Sequence, residues 1–178
     1  LTHKVLELIP FDEMLDETNV REFVESLPEK GFMSAREAEA VDCRKVAAFF
    51  KSDTGRRLRD AQWIRREWPF TLRKSRDEIA AMAANDDIKE EMRSSLAENV
   101  LIQGIIDCCF RDDRGIVVVD YKTDWVDRKN KDSEIARLRE EYRRQLELYS
   151  EVIERSLGER PESVVLFLLD SGDAVNIF

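Results

Sequence analysis

The chain has 178 residues, 43% of them hydrophobic, and its 29 Lys and Arg against 38 Asp and Glu give a formal charge of −9 with the single histidine neutral. That length suits one domain or a large piece of a longer protein, and the apolar fraction, with only 6 Gly and 4 Pro, excludes a disordered or fibrous chain. No apolar run approaches the ~20 residues that cross a bilayer, and no signal segment opens the sequence, which disfavours membrane insertion and secretion.

Leu1 to Leu8 sets Val5, Leu6 and Leu8 in a short helical pattern that starts without a methionine, so the chain is read as a fragment of a longer polypeptide. Ser34 and Glu37 make a capping box ahead of Ala38, Val41, Val46, Ala47 and Phe50, and residues 1–60 read as a helical N-terminal part. Charge is unevenly spread: residues 1–50 hold 6 basic and 11 acidic groups, residues 51–76 hold 9 and 3, and residues 77–178 hold 14 and 24. The middle window is a basic island in which Arg56, Arg57, Arg59, Arg65, Arg66, Arg73 and Lys74 surround the aromatic stretch from Trp63 to Phe70. It suits either a path for a phosphate backbone with rings for stacking, or a solvated basic face over core tryptophans.

Residues 62–72 place Trp63, Ile64, Trp68, Phe70 and Leu72 in partial alternation and predict a strand, with Pro69 tolerated at an edge or bulge. Ser75 and Glu78 form another capping box before a polar, alanine-rich helical insertion at about 75–98. Val100 to Phe110 and Ile116 to Tyr121 flank a polar turn ending in Gly115, the pattern of a β-hairpin. From Ser133 to Leu157 apolar residues recur at helical spacing until Gly158 and Pro161 stop them. Val164 to Leu169 reads as a strand buried on both faces, and Ser171-Gly172-Asp173 turns it back into residues 174–178. Helices, three strands, a helix and a strand predict an α/β fold. Nothing divides it, so one domain is expected over 1–178, with its core at 62–178.

Chemistry concentrates on the hairpin. Asp107 stands in Gly104-Ile105-Ile106-Asp107, and 12 residues later the second strand ends in Asp120-Tyr121-Lys122-Thr123. Asp120 and Lys122 project from one face of their strand and Tyr121 from the other. Charges at the end of an apolar strand cost stability unless paired or bound to a metal, and a hard cation such as Mg²⁺ takes one or two carboxylates together with phosphate oxygens. Lys122 then adds a compact charge for a scissile phosphate. Gln145 and Tyr149 share a helix face that reaches the same strand end. Each feature has a bland reading: strand-capping carboxylates neutralised by a lysine, a core tyrosine beside a surface amide, and a packed or surface imidazole at His3.

Taken in order after Thr2-His3, Gly104-Ile105-Ile106-Asp107, Asp120-Tyr121-Lys122-Thr123 and Gln145-Leu146-Glu147-Leu148-Tyr149 resemble the RecB-type nucleases of the PD-(D/E)xK superfamily. The likeness is greatest to the nuclease domains of the AddA subunits of bacterial AddAB helicase-nucleases, from His3 to the strand at Val164 to Leu169. It implies a restriction-endonuclease-like core, a mixed central sheet flanked by helices with an N-terminal helical region. It further implies that His3, Asp107 and Asp120 hold a metal with the Tyr121 carbonyl, that Lys122 is the catalytic lysine, and that Gln145 and Tyr149 contact DNA or support the site. Glu67, in Arg66-Glu67-Trp68-Pro69-Phe70, matches an acidic position of such nucleases. Cys43, Cys108 and Cys109 do not match the four-cysteine spacing of relatives with an iron-sulfur staple, so no cluster is expected. An odd number of cysteines without disulfide spacing points to a reducing cytoplasm.

The resemblance implies an Mg²⁺-dependent deoxyribonuclease, with Mn²⁺ accepted if imidazole binds. Its partners would be DNA, mainly single strands, the helicase portion of the same chain and an AddB-type partner, with no membrane. The alternatives are a catalytically silent docking module of that complex and a free-standing nuclease; intact Asp107, Asp120 and Lys122 weigh against the first.

Overall fold

Polar side chains set where the helices begin. The computed structural model describes residues 1–11, 16–82, 86–95 and 97–177. Residues 83–85 and 96 of the expected insertion, and Phe178 at the end of the last expected strand, lie outside them. In the N-terminal part run α1 (Thr2–Leu8), α2 (Glu17–Ser26), α3 (Ala35–Glu39), α4 (Cys43–Lys51) and α5 (Asp53–Arg59). Asp16 and Asn19 cap α2 reciprocally, each side chain accepting from the other's backbone N–H, and Ser34 with Glu37 does the same for α3. Ser52 ends α4 and starts α5: its hydroxyl donates to the Phe49 carbonyl at 2.6 Å and accepts from the Gly55 N–H at 3.1 Å. A Cβ at Gly55 would collide with the Phe49 carbonyl oxygen, so glycine permits the tight corner between the two helices.

Two compact units divide the chain, Leu1–Trp68 with Ile106–Phe178, and Pro69–Ile105. The expected helical insertion falls inside the second, which contains α6 (Arg76–Ala81), capped by the Ser75 and Glu78 box, and α7 (Asp86–Ser95). The strands are β1 (Trp63–Ser75), β2 (Asn99–Arg111), β3 (Ile116–Lys122), β4 (Ser163–Leu168) and β5 (Asp173–Asn176), in the spatial order β1-β2-β3-β4-β5. Strands β2 and β3 form the expected antiparallel hairpin, with Cys108 opposite Val119 and Arg111 opposite Ile116. After β3 the chain crosses through α8 (Lys131–Leu157) and returns as β4, parallel to β3 with Asp120 beside Leu166. Strand β5 then pairs antiparallel with β4. This mixed sheet with flanking helices is the α/β fold expected of the sequence.

Alternation along the strands builds a core on each face of the sheet. Val117, Val119 and Tyr121 of β3, with Val165 and Phe167 of β4, pack in one cluster with Val5, Leu6, Val20, Val24, Phe49 and Leu58 of the N-terminal helices. Phe49 stands edge-on to both Tyr121 and Phe167, with ring centroids 5.1 Å and 4.9 Å away. Helix α8 lies against β3 and β4 and buries Leu138, Leu146, Tyr149, Val152 and Ile153. Gly158 at φ +73° ends it in the left-handed region. Among the described residues no helix is long and apolar enough to cross a membrane.

The basic island is not a free cationic track. Arg57 is largely buried and pairs with Asp112 at 2.6 Å and with Glu162 at 2.9 Å. Arg66 donates to the Ile9 carbonyl at 2.6 Å and the Leu6 carbonyl at 3.3 Å, and lies over the Phe11 ring. Arg56 pairs with Asp53, and Arg65 stacks on Trp68. Arg57 and Arg66 are struts of the fold, which removes them from any phosphate path.

Candidate active site

The site grows from the point where the hairpin ladder stops. One step beyond the paired Cys108 and Val119 stand Asp107 and Asp120. The Tyr121 backbone N–H donates to Asp107 Oδ2 at 2.8 Å, so a side-chain carboxylate takes the place of a ladder carbonyl. That bond fixes Asp107 beside β3. Asp120, one residue before Tyr121, faces the α8 side while the Tyr121 ring enters the opposite core.

Asp120 is 1% exposed, and burial is the largest influence on its carboxyl, which is pushed up to about 6. The Lys122 ammonium opposes that rise and the Asp107 carboxylate adds to it. Lys122 Nζ lies 2.5 Å from Asp120 Oδ2, yet that oxygen is fully buried and accepts no hydrogen bond of acceptable geometry. Gln145 Nε2 stands 3.4 Å from Asp120 Oδ1 and donates to the Tyr149 hydroxyl at 2.7 Å. Burial pushes the Tyr149 phenol up to about 12, with the Asp120, Asp107 and Glu67 carboxylates pushing the same way.

On the other side, α1 brings His3 to the same strand ends. Its Nδ1 is 3.9 Å from Asp107 Oδ2, and its ring stands edge-on to Tyr121 at 6.1 Å. Glu67 of β1 has a carboxyl raised by burial first, then by the Asp107 and Glu7 carboxylates. The structure therefore gathers His3, Glu67, Asp107, Asp120, Lys122, Gln145 and Tyr149 around adjacent strand ends. Tyr121 lies between the two aspartates through its backbone.

Two participants escaped the sequence reading. Tyr142 appeared there only as an apolar position of the long helix, but its ring lies under the Lys122 ammonium at 4.6 Å and its hydroxyl donates to Asp124 at 3.1 Å. Its place three residues before Gln145, on the same helical face, was the available signal. Glu7 was missed as well, although it follows His3 by four residues on one helix.

Among the described residues, no three His, Cys, Asp or Glu side chains already form a metal cage. The donor chemistry still fits a hard divalent cation: Asp120 offers a buried oxygen without a hydrogen-bond donor, and Asp107 a second carboxylate one strand away.

The profile of the PD-(D/E)XK nuclease superfamily matches residues 1–176. The chain is 38% identical over 172 residues to a component of the ATP-dependent helicase/nuclease of Desulforudis audaxviator, an alignment covering 97% of this chain and 13% of that protein. It is 32% identical over 175 residues to the protein of the same name from Clostridium novyi, covering 98% and 13%, and 29% identical over 178 residues to that of Bacillus cereus AH187, covering 98% and 14%. The chain thus spans about one seventh of the length of these curated relatives. With its mixed sheet and its paired aspartates and lysine, the chain belongs to the PD-(D/E)XK nuclease superfamily.

Proposed function

We propose that the chain hydrolyses DNA phosphodiesters with the help of a divalent cation, Mg²⁺ with Mn²⁺ also accepted. It would act as the nuclease module of a cytoplasmic helicase-nuclease in double-strand break processing and recombinational repair. The supporting observation is the Lys122 ammonium 2.5 Å from Asp120 and adjacent to Asp107, in a chain of this superfamily. The substrate would be mainly single-stranded DNA, and the partners a helicase portion of the same polypeptide and an AddB-type protein. Support for that setting comes from the relatives' names, which join helicase and nuclease in one polypeptide.

Asp107 and Asp120 would hold the cation, with the His3 imidazole and the Tyr121 carbonyl as further donors. When bound, such a cation supplies Lewis-acid polarisation of the phosphoryl group and a water of lowered pKa. Lys122 is a point charge on a flexible stem, suited to exchange its contact with Asp120 for a phosphate oxygen and to stabilise the charge growing there. Gln145 orients Asp120, and Tyr149 holds the Gln145 amide. Glu67 adds negative charge beside Asp107, favouring cation capture.

With a labelled single-stranded oligonucleotide, cleavage is expected only when Mg²⁺ or Mn²⁺ is present, and slowly, since no motor delivers the strand. Lys122→Ala and Asp120→Ala should each lower the rate by about 10²-fold or more. Asp120→Ala should keep a metal-free melting temperature close to that of the unmodified chain but lose the rise that Mn²⁺ gives. Cleavage undiminished in excess EDTA overturns the reading, as does the absence of both cleavage and metal-induced stabilisation at high Mn²⁺.

A further inference from the structure

Tryptophan joins the largest apolar side-chain surface to a single polar N–H, and in folded proteins it is mostly buried. Trp125 is 69% exposed, more than any other large hydrophobic side chain among the described residues. It lies three residues beyond Lys122, in the loop that leads from β3 to α8.

The loop around it is anchored. Asp124 accepts from the Tyr142 hydroxyl of α8. Val126 is 1% exposed, and its N–H donates to Asp170, which also meets Lys45 Nζ at 2.7 Å. Asp127 accepts from the Lys129 N–H and from the Asn130 side-chain amide, each at 2.9 Å. An indole presented between fixed neighbours loses little conformational freedom when something stacks on it.

We propose that Trp125 is a stacking post for a nucleobase of the single strand being cut, an inference that rests on the nuclease reading above. Three residues of extended chain span at most about 11 Å, so the indole stands close to the Asp107, Asp120 and Lys122 centre along any strand that enters it. Arg128 and Lys129 follow at once, offering cations for neighbouring phosphates. A ring beside cations is the combination that holds single strands without reading their sequence, because every base has a π-face. A protein partner would also cover an indole, but one seated this near the centre would compete with the strand for access.

The test measures binding of a labelled oligothymidylate in EDTA, where no strand is cut, and cleavage with Mg²⁺. Trp125→Ala is expected to weaken binding about 10-fold and Trp125→Phe to restore most of it, with Phe32→Ala, which removes another exposed ring, unchanged. Oligonucleotides carrying abasic sites throughout should bind the unmodified chain and Trp125→Ala alike. Equal binding of normal oligonucleotide by Trp125→Ala and the unmodified chain overturns the proposal and leaves the indole to a protein contact. A loss in Trp125→Ala that persists on abasic strands also overturns it, because the indole would then not act through a base. If the unmodified chain neither binds nor cleaves single strands with Mg²⁺ or Mn²⁺, the nuclease reading itself has failed.

Discussion

Glu67 has a φ of +47°, the only positive value at a non-glycine among the described residues, and it carries one of the carboxylates facing Asp107. The left-handed region costs a residue with a Cβ about 1 kcal/mol or more, so the surrounding strand holds Glu67 there against its own preference. Glu67→Ala and Glu67→Gly both delete the carboxylate, but only glycine also removes the strain. Glu67→Gly is therefore expected to be more stable than Glu67→Ala by about 1 kcal/mol in urea denaturation, despite glycine's larger unfolded-state entropy. Equal stabilities would mean that the turn at Glu67 relaxes freely in solution. The alternation of residues 62–72 hid this turn, because a pattern of side chains carries no trace of a single reversed dihedral. By contrast, the i, i+2 spacing of Asp120 and Lys122 settled which strand face they share, since a strand offers two faces only.

The ion pair of Arg57 on α5 with Asp112, at the end of the hairpin, links elements far apart in sequence. Arg57 donates to Asp112 at 2.6 Å and 3.1 Å, and their side chains are 14% and 4% exposed. Asp112 also accepts from the Arg114 and Gly115 N–H groups, so one carboxylate both shapes the turn and anchors a helix. The Arg57 guanidinium, with those N–H groups, holds the Asp112 carboxyl below its usual range. A group depressed on folding stabilises fully above its unfolded pKa, about 4, and loses that contribution as pH falls through the lower folded value. Arg57→Ala is expected to cost about 3 kcal/mol at pH 7, and the difference from the unmodified chain should shrink below about pH 4. A pH-independent difference would show that Arg57 acts through packing of its stem. Capping boxes, the hairpin and the long helix were legible because each depends on residues close in sequence. The use of Arg57 was not, because its partners Asp112 and Glu162 are 55 and 105 residues away and composition alone cannot separate a strut from a track.

At the scale of the whole molecule, the net charge of −9 opposes any polyanion, and many of the cations already have acidic partners. Lys45 pairs with Asp170, Arg111 with Glu159, Lys131 with Asp173, Arg137 with Glu134 and Glu141, and Arg160 with Glu154. A single strand meeting this surface can replace few counterions with protein charge, so its attachment must depend on a short stretch around Lys122, Arg128 and Lys129 and on stacking. Each phosphate neutralised contributes about 0.7 to the slope of log binding constant against log salt for single strands. Binding of the chain to oligothymidylate in EDTA is therefore expected to show a shallow slope, about −0.7 to −2, as for one to three phosphates. Arg56→Ala with Arg59→Ala should leave that slope unchanged, because those arginines belong to the helical struts of the island. A slope steeper than about −4, or one that flattens in this double variant, would restore the island as a phosphate path and make stacking a minor contributor to affinity.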